Sequence, residues 1–454
     1  MDALEIAAIS LSSNRFRNSI SVNTLLESKV FNVRHEKLLV YNNIFGHNMI
    51  LEVMALVLRP NYINTITPFI DQPIVKILAG IRRSGKSTIF EMLKLELQKR
   101  GVSESNIIQR KYTEMDIPQN ITAQQMYSDL KSAIAEKGRC YLLLDELQEV
   151  NGWEKAVNSL LEGADVDIYV AGSNSKLMVS EISTYLAGRY VSIPVYTLSF
   201  QEYLDFKAGS EKSQKELLEE YIRYGGFPLV ALGNYEEHSA YQIVNGIYHT
   251  VISRDIVKRH RITKQDLFDR VVKYIIENMG KTFSANSISK FLKNEFRTVS
   301  VESIYNYLRW LEQAFIIYPC QRYDLQGKSI LKTQEKYYLA DVSLKYCLLG
   351  YNHKMLDAAM ENIVFLELKR RGYDVYIGKS DTKEIDFIAV RRNERIYIQV
   401  CVQLPENSDR EVGNLMEIRD HYPKYVVTMN SMDVGIENGI KIVHLADFLL
   451  AEYW

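Results

Sequence analysis

The sequence predicts an α/β protein: a parallel sheet interrupted by a glycine loop, then a helical segment, a compact helical module and a second, smaller α/β unit. Three observations carry this. Ile74-Val-Lys-Ile-Leu-Ala runs straight into Gly80-Ile-Arg-Arg-Ser-Gly-Lys-Ser-Thr, and then into Ile89-Phe-Glu-Met-Leu-Lys-Leu-Glu-Leu, whose apolar residues recur at helical spacing. Cys140-Tyr-Leu-Leu-Leu is apolar throughout and ends in Asp145-Glu146, which suits a strand covered on both faces. From about residue 211 strand signals give way to amphipathic helices, and they return only in the last third of the chain.

The glycine loop fits G-x-x-x-x-G-K-[ST]. Gly80 and Gly85 let the backbone curl so that its amides face an anion, Lys86 reaches the β/γ-phosphates, and the Ser87 hydroxyl binds Mg²⁺. The helix beginning near Lys86 turns its positive dipole end toward the same anion. Arg82, Arg83, Ser84 and Thr88 complete the candidate nucleotide-binding set, the two arginines either reaching phosphate or packing against the acids of the sheet. ATP with Mg²⁺ is the expected ligand.

At 454 residues with a hydrophobic fraction of 47%, the chain has material for two to four domains with real cores. Lys+Arg 55 against Asp+Glu 56 leaves a formal charge of -1, so any attraction to nucleic acid must come from a local surface. The cysteines Cys140, Cys320, Cys347 and Cys401 form no C-x-x-C pair, and the histidines lack ligand spacing; buried thiols are expected, with no zinc site or disulfide framework. The first residues carry acid where a secretory signal carries base, and the longest apolar stretch, Met49 to Leu58, is too short to span a bilayer. A cytoplasmic protein without membrane contact is expected.

Taken in order, residues 1–53 form an extension without motif or assigned role, and Met54 is a candidate natural start. Residues 54–208 form the nucleotide-binding domain. Within it Ile107-Ile-Gln-Arg-Lys-Tyr is a strand, Thr122 to Lys137 a helix, and Cys140 to Glu146 a Walker B strand whose acids fall at the ligand-binding ends of an open α/β sheet. Asp145 is expected to hold Mg²⁺ and Glu146 to orient or deprotonate the attacking water. Asp167-Ile-Tyr-Val-Ala-Gly-Ser-Asn-Ser is a further strand, and Asn174 at its end is a candidate sensor of the γ-phosphate. Arg189 is a candidate for stabilising transition-state charge, in its own site or a neighbour's; a surface ion pair is the competing reading.

Residues 209–263 read as a helical lid broken at Tyr224-Gly-Gly-Phe-Pro228, a corner against the nucleotide or a plain helix-helix turn. Residues 264–350 hold helical patterns at Asp266 to Met279, Ser284 to Phe296 and Ser300 to Phe315, followed by strand-like Ile316-Ile-Tyr and Lys336-Tyr-Tyr-Leu. That order is a winged helix-turn-helix. Between Arg254 and Lys332 there are fifteen Lys/Arg against eight Asp/Glu, which permits contact with the backbone of double-stranded DNA, although such modules also serve docking or dimerisation.

Residues 351–454 open with the helix Glu361-Asn-Ile-Val-Phe-Leu-Glu-Leu, followed by the strand-like Asp374-Val-Tyr-Ile-Gly, Glu384-Ile-Asp-Phe-Ile-Ala-Val and Arg395-Ile-Tyr-Ile-Gln-Val-Cys-Val. A restriction-endonuclease-like core fits this order. Asp386 is in place for such a site, but Gln399-Val400-Cys401 stands where Glu-x-Lys is required; an amide is a poor metal ligand and a thiol does not replace an ammonium. Cleavage is not expected, and Lys379, Lys383 and Glu361 are the residues that would compensate.

Together Gly80-Ile-Arg-Arg-Ser-Gly-Lys-Ser-Thr, Leu144-Asp-Glu-Leu-Gln, Ala171-Gly-Ser-Asn-Ser, Gly188-Arg189, Leu198-Ser-Phe-Gln-Glu-Tyr, Tyr224-Gly-Gly-Phe-Pro and Lys383-Glu-Ile-Asp-Phe resemble a family of bacterial and archaeal AAA-type ATPases with a C-terminal domain of unknown function. The resemblance runs from about Arg59 to the C-terminus. It implies an ASCE-type parallel sheet with one strand between the P-loop strand and the Walker B strand, a helical lid, a winged helix and a nuclease-like fold. It also implies that Pro228 lies by the nucleotide, as Gly-Gly-x-Pro does in similar ATPases. The expected activity is ATP hydrolysis that repositions the lid and C-terminal domains, with self-association possible; an ATP-switched DNA-binding module with slow turnover is the alternative.

Overall fold

The computed structural model describes residues 39–40, 55–118, 120–178, 186, 188–294, 299–325, 327, 329–380, 383–405 and 410–454. Nearly all of the predicted 1–53 extension, and the candidate start at Met54, lie outside the described residues. The chain divides into a unit Met1–Leu58, in which Leu39–Val40 pairs antiparallel with Ala55–Leu56, and a unit Arg59–Trp454 that holds every predicted site residue.

The second unit begins with helix α1 (Pro60–Ile66), started by a proline that fixes φ where no amide bond is lost. Five parallel strands follow: β1 (Val75–Ala79), β2 (Ile107–Lys111), β3 (Cys140–Asp145), β4 (Val166–Gly172) and β5 (Tyr190–Pro194), in the order β2-β3-β4-β1-β5. One strand, β4, therefore separates the glycine-loop strand from the acidic strand. The apolar runs are buried on both faces because alternate residues serve different cores. Val75, Ile77, Cys140, Leu142, Leu144, Ile168 and Val170 face one core. Leu78, Tyr141, Leu143, Tyr169 and Ala171 face the other, with Ile89, Phe90 and Leu93 of helix α2 (Lys86–Lys99) and Tyr62 and Ile66 of α1. On the first face lie α3 (Ala123–Ile134), opened by a capping box at Thr122 and Gln125, and α4 (Trp153–Gly163).

α5 (Phe200–Phe206) closes the segment 54–208, and residues 209–263, expected as a lid, hold α6 (Gln214–Tyr224), α7 (Pro228–Leu232) and α8 (Glu237–Thr250); α8 runs on as a π-helix over Val251–Lys258. The three expected helices after it are α9 (Gln265–Glu277), α10 (Ala285–Asn294) and α11 (Val301–Gln313). The strands that follow are longer than the sequence implies. β6 (Ile317–Asp324) and β7 (Ser329–Leu339) form an antiparallel hairpin, followed by α12 (Ser343–Leu349).

That hairpin does not stand alone. After α13 (Leu356–Arg370), strands β8 (Asp374–Ser380), β9 (Lys383–Arg391) and β10 (Glu394–Cys401) form an antiparallel meander, and β8 pairs in parallel with β6. Then come α14 (Arg410–Met416), β11 (Lys424–Thr428), β12 (Gly435–Glu437), β13 (Ile440–His444) and α15 (Leu445–Leu450). The result is one mixed eight-stranded sheet in the order β12-β13-β11-β10-β9-β8-β6-β7. The Asn362 side chain fixes α13 to the hairpin by accepting from Leu339 N at 2.6 Å and donating to Leu339 O at 3.0 Å. The predicted boundary at residue 350 is thus crossed by a continuous sheet. No helix among the described residues is long and apolar enough to cross a membrane.

Candidate functional site

The loop from Gly80 to Gly85 joins β1 to α2 at the C-terminal ends of the parallel strands. A Cβ at Gly80 would lie 2.0 Å from Val195 O, so only glycine lets the loop leave β1 beside the end of β5. Gly85 has φ +96°, the left-handed region that favours glycine, and Arg83 sits exposed at φ 64°. The buried Lys86 ammonium donates to Gly80 O and Ile81 O, both at 2.9 Å. Burial lowers its pKa, although Glu146 and Asp145 pull the other way.

Ser87 Oγ donates to Asp145 Oδ2 at 2.5 Å, and Glu146 N donates to Asp145 Oδ1 at 2.9 Å. Burial raises the Asp145 pKa against the opposing hydrogen bond from Ser87. Burial acts the same way on Glu146, yet Lys86 and Arg82 hold that carboxyl below its ordinary value. Glu146 therefore remains an anion available as a hydrogen-bond acceptor. It sits at φ 54°, with Gln148 Nε2 donating to its Oε2 and Ser173 Oγ reaching the same oxygen at 3.4 Å. Gln148 occupies the space a side chain at residue 172 would need: a Cβ on Gly172 would lie 2.1 Å from its Oε1. Asn174 is buried one residue beyond Ser173, and Thr88 is half-buried in the first turn of α2. Pro228 Cγ lies 3.7 Å from where a Gly85 Cβ would stand, so the Gly-Gly-Phe-Pro corner lies beside the loop.

These residues fit a triphosphate with a divalent cation. The buried ammonium is held only by carbonyl oxygens among its hydrogen-bond partners, the hydroxyl and carboxylate are hard oxygen donors, and Ser84 Oγ is a buried polar atom without a hydrogen-bond partner among the described residues.

Arg189 requires a correction. Its carbonyl accepts from Val75 N, the first residue of β1, so it stands at the opposite end of the sheet from the loop, roughly 16 Å away along five strand residues. Its guanidinium bonds Asn158 Oδ1 at 2.8 Å and Glu162 Oε1 at 2.6 Å on α4. A role in this chain's own site is excluded by that geometry, and the ion-pair reading is the one observed.

Asp255 and Arg59 meet the site without a signal in the sequence. Arg82 binds Asp255 of the π-helix through two hydrogen bonds, Nε to Oδ2 at 2.7 Å and Nη2 to Oδ1 at 3.0 Å, while Nη1 lies 4.0 Å from Glu146 Oε1. Arg59, fully buried, donates from Nη1 to Ser84 O at 2.8 Å and grips Glu202 with Nε at 2.8 Å and Nη2 at 2.9 Å. The Ser199-x-x-Glu202 pattern marks a capping box, which is present, but nothing in it foretells an arginine partner.

In the C-terminal sheet Asp386 Oδ2 accepts from Val400 N at 2.8 Å, and Gln399 Oε1 accepts from Asp386 N at 2.8 Å. The lysine at this centre is neither Lys379 nor Lys383. Lys383 pairs with Glu417 at the surface, and Lys336 from β7 brings its ammonium 2.8 Å from Glu384 and 3.6 Å from Glu361. Burial, then the neighbouring carboxyl of Glu361, pushes Asp386 well above the usual carboxylate range. Among the described residues no group of three or more His, Cys, Asp or Glu side chains is disposed to hold a metal.

Residues 72–204 match an AAA domain and residues 215–354 a domain of unknown function (DUF8612). An uncharacterized protein of Haemophilus influenzae is 36% identical over 403 residues, 87% of this chain and 99% of its own. An uncharacterized protein of Methanocaldococcus jannaschii is 30% identical over 354 residues, 74% of this chain and 77% of its own. Among solved structures, the Walker-type ATPase paby2304 of Pyrococcus abyssi aligns with 64% of this chain and 95% of that one, at 14% identity and a TM-score of 0.46, a likeness too loose to bear an argument.

Proposed function

This chain belongs to one family with the Haemophilus influenzae and Methanocaldococcus jannaschii proteins and carries an AAA-type ATPase domain; from that premise we propose that it binds ATP with Mg²⁺ and hydrolyses it to reposition its lid and C-terminal domains. The observation that supports this is convergence: Lys86, Ser87, Asp145 and Glu146 meet at the C-terminal ends of β1 and β3, across the single strand β4. Lys86 takes the β/γ-phosphates, and Ser87 and Asp145 hold the cation. Glu146, kept anionic, orients the attacking water and accepts its proton. Mg²⁺, when bound, neutralises charge building on the phosphate oxygens. Asn174 and Ser173 close the site on the β4 side, and Pro228 connects it to the lid. Lys86→Ala is expected to abolish ATP binding and Glu146→Gln to retain ATP without turnover; hydrolysis unchanged in Glu146→Gln would remove that residue from the mechanism.

The domain division 54–208, 209–263, 264–350 and 351–454 is part of the same proposal, with the β6–β7 hairpin shared by the last two. The final segment is read as a nuclease-like fold without cleavage. Gln399 replaces a carboxylate ligand, and the Lys336 ammonium lies among the acids where a metal would be needed.

A second reading, DNA binding under nucleotide control, draws on α11. Tyr305 and Arg309 are exposed on its outer face beside Asn306, within the stretch of surplus positive charge. Salt-dependent binding of duplex DNA that is lost on Arg309→Glu with Lys293→Glu would favour it, and stimulation of ATP turnover by DNA would join the two readings.

A further inference from the structure

With Arg189 at the far end of its own sheet, an arginine that stabilises phosphoryl transfer within the same chain has to be another residue. We infer that Arg82, held in place by Asp255 of the π-helix, supplies that charge from within the same chain, and that Asp255 is a positioning residue for the reaction. The inference rests on the ATPase reading above.

The geometry is specific. Asp255 takes the Nε and Nη2 edge of the guanidinium in a fork-on-fork pair, which fixes the plane of the group and leaves Nη1 directed toward Glu146, 4.0 Å away. Glu149 adds a second, weaker tether to Nη2 at 3.9 Å. Arg82 belongs to the phosphate loop itself, between Gly80 and Gly85, so the charge is built into the cradle. Its alternatives are few, because the Asp255 side chain is buried and cannot exchange its partner for water at low cost. The support beneath Asp255 is unusual too. The π-helix is a rare geometry that concentrates at functional sites, and here it spans Val251–Lys258 and buries Val251, Ile252, Asp255 and Ile256. An α-helical continuation of α8 would rotate residue 255 away from its present direction. The wider turn is what aims a carboxylate from the lid segment at the loop. An arginine so fixed needs no neighbouring subunit, and each chain completes its own site.

The test compares a fluorescent ADP with the same ADP plus aluminium fluoride and Mg²⁺, which mimics the charge of the transferring phosphoryl group. In Asp255→Asn, ADP affinity and KM should stay within about twofold of the parent, while affinity for the aluminium fluoride complex and kcat each fall about a hundredfold. Because Asp255→Asn strands a partly buried guanidinium, the double variant Arg82→Gln with Asp255→Asn serves as the folding control. It should melt with the parent, bind ADP, and lack the tightening by aluminium fluoride. Mixing Arg82→Ala chains with Lys86→Ala chains should restore no turnover. Parent-like tightening in the double variant, or turnover regained in the mixture, would overturn the inference. Failure of the parent itself to bind ADP would instead remove the ATPase reading beneath it.

Discussion

The Ser87 hydroxyl and the Asp145 carboxylate meet at 2.5 Å, joining the first turn of α2 to the end of β3 across the strand that separates β1 from β3. On the proposed ATPase reading these two hard oxygen donors hold the cation, and each substitution should act on metal use more than on nucleotide binding as such. Ser87→Ala should weaken Mg²⁺-dependent ATP affinity about tenfold, the value of one strong hydrogen bond or ligand, and leave binding in chelator almost unchanged. Equal losses with and without Mg²⁺, measured by calorimetric titration, would take Ser87 out of the metal site.

The Arg59–Glu202 pair ties the strand exit at Tyr196 and the glycine loop at Ser84 to one guanidinium, and both side chains are buried. Breaking one half leaves an uncompensated charge. Glu202→Gln should therefore cost about 3–5 kcal/mol of unfolding free energy, whereas Arg59→Met combined with Glu202→Leu should recover most of that loss. Urea midpoints for the single and double variants decide it. A double variant no more stable than Glu202→Gln would show that the pair is more than a buried charge balance. Loosened Ser84 should also lower nucleotide affinity in the single variant.

The loop, the acidic strand and the three helices of residues 265–313 are legible because their signals are local: fixed spacing around Gly80 and Gly85, an unbroken apolar run, and helical periodicity, capped by serine in the second and third helices. Sequence is less telling where position depends on which end of a strand a residue reaches. Arg189 reads as a catalytic arginine or a surface ion pair, and only the hydrogen bond from Val75 N to its carbonyl places it at the edge away from the loop. Asp255 and Lys336 were invisible for a different reason. Each meets its partners across long sequence separations, 173 residues from Arg82 and, for Lys336, through a hairpin that joins a sheet the sequence had assigned to another unit. No short window contains both ends of such a contact.

Gly225 offers a test of how the lid corner meets the C-terminal region. Its φ is +75°, and a Cβ there would lie 1.7 Å from Asp341 Oδ1. Asp341 is already filled by donors, accepting from Gly226 N at 2.8 Å and Ser343 N at 3.0 Å. Gly225→Ala must displace the aspartate and strain the backbone at once, a destabilisation of about 2 kcal/mol or more. Gly209→Ala, with φ +82° but open space around the added carbon, should show only the backbone part, about 1 kcal/mol. Similar melting losses in the two variants would deny the Asp341 contact its importance.

The pH dependence of stability should carry a mark from Glu312 on α11. Burial, reinforced by the nearby carboxylate of Glu335 and only partly offset by Arg309, raises its pKa from 4.5 to about 7. The folded protein therefore holds this proton more tightly than the unfolded chain does. The stabilisation is complete below about 4.5 and is lost as pH rises through about 7, because ionising the group in place then works against the fold. A full shift of this size would correspond to about 3 kcal/mol, and partial access to solvent reduces the expected effect to about 1–2 kcal/mol. Glu312→Gln keeps the shape of the neutral acid and cannot ionise, so it should match the parent near pH 5 and exceed it by about 1–2 kcal/mol at pH 8. Urea unfolding at four pH values between 5 and 8 measures both curves. If the two remain parallel across that range, Glu312 ionises normally in the folded protein, and its surroundings on α11 are looser than its burial implies.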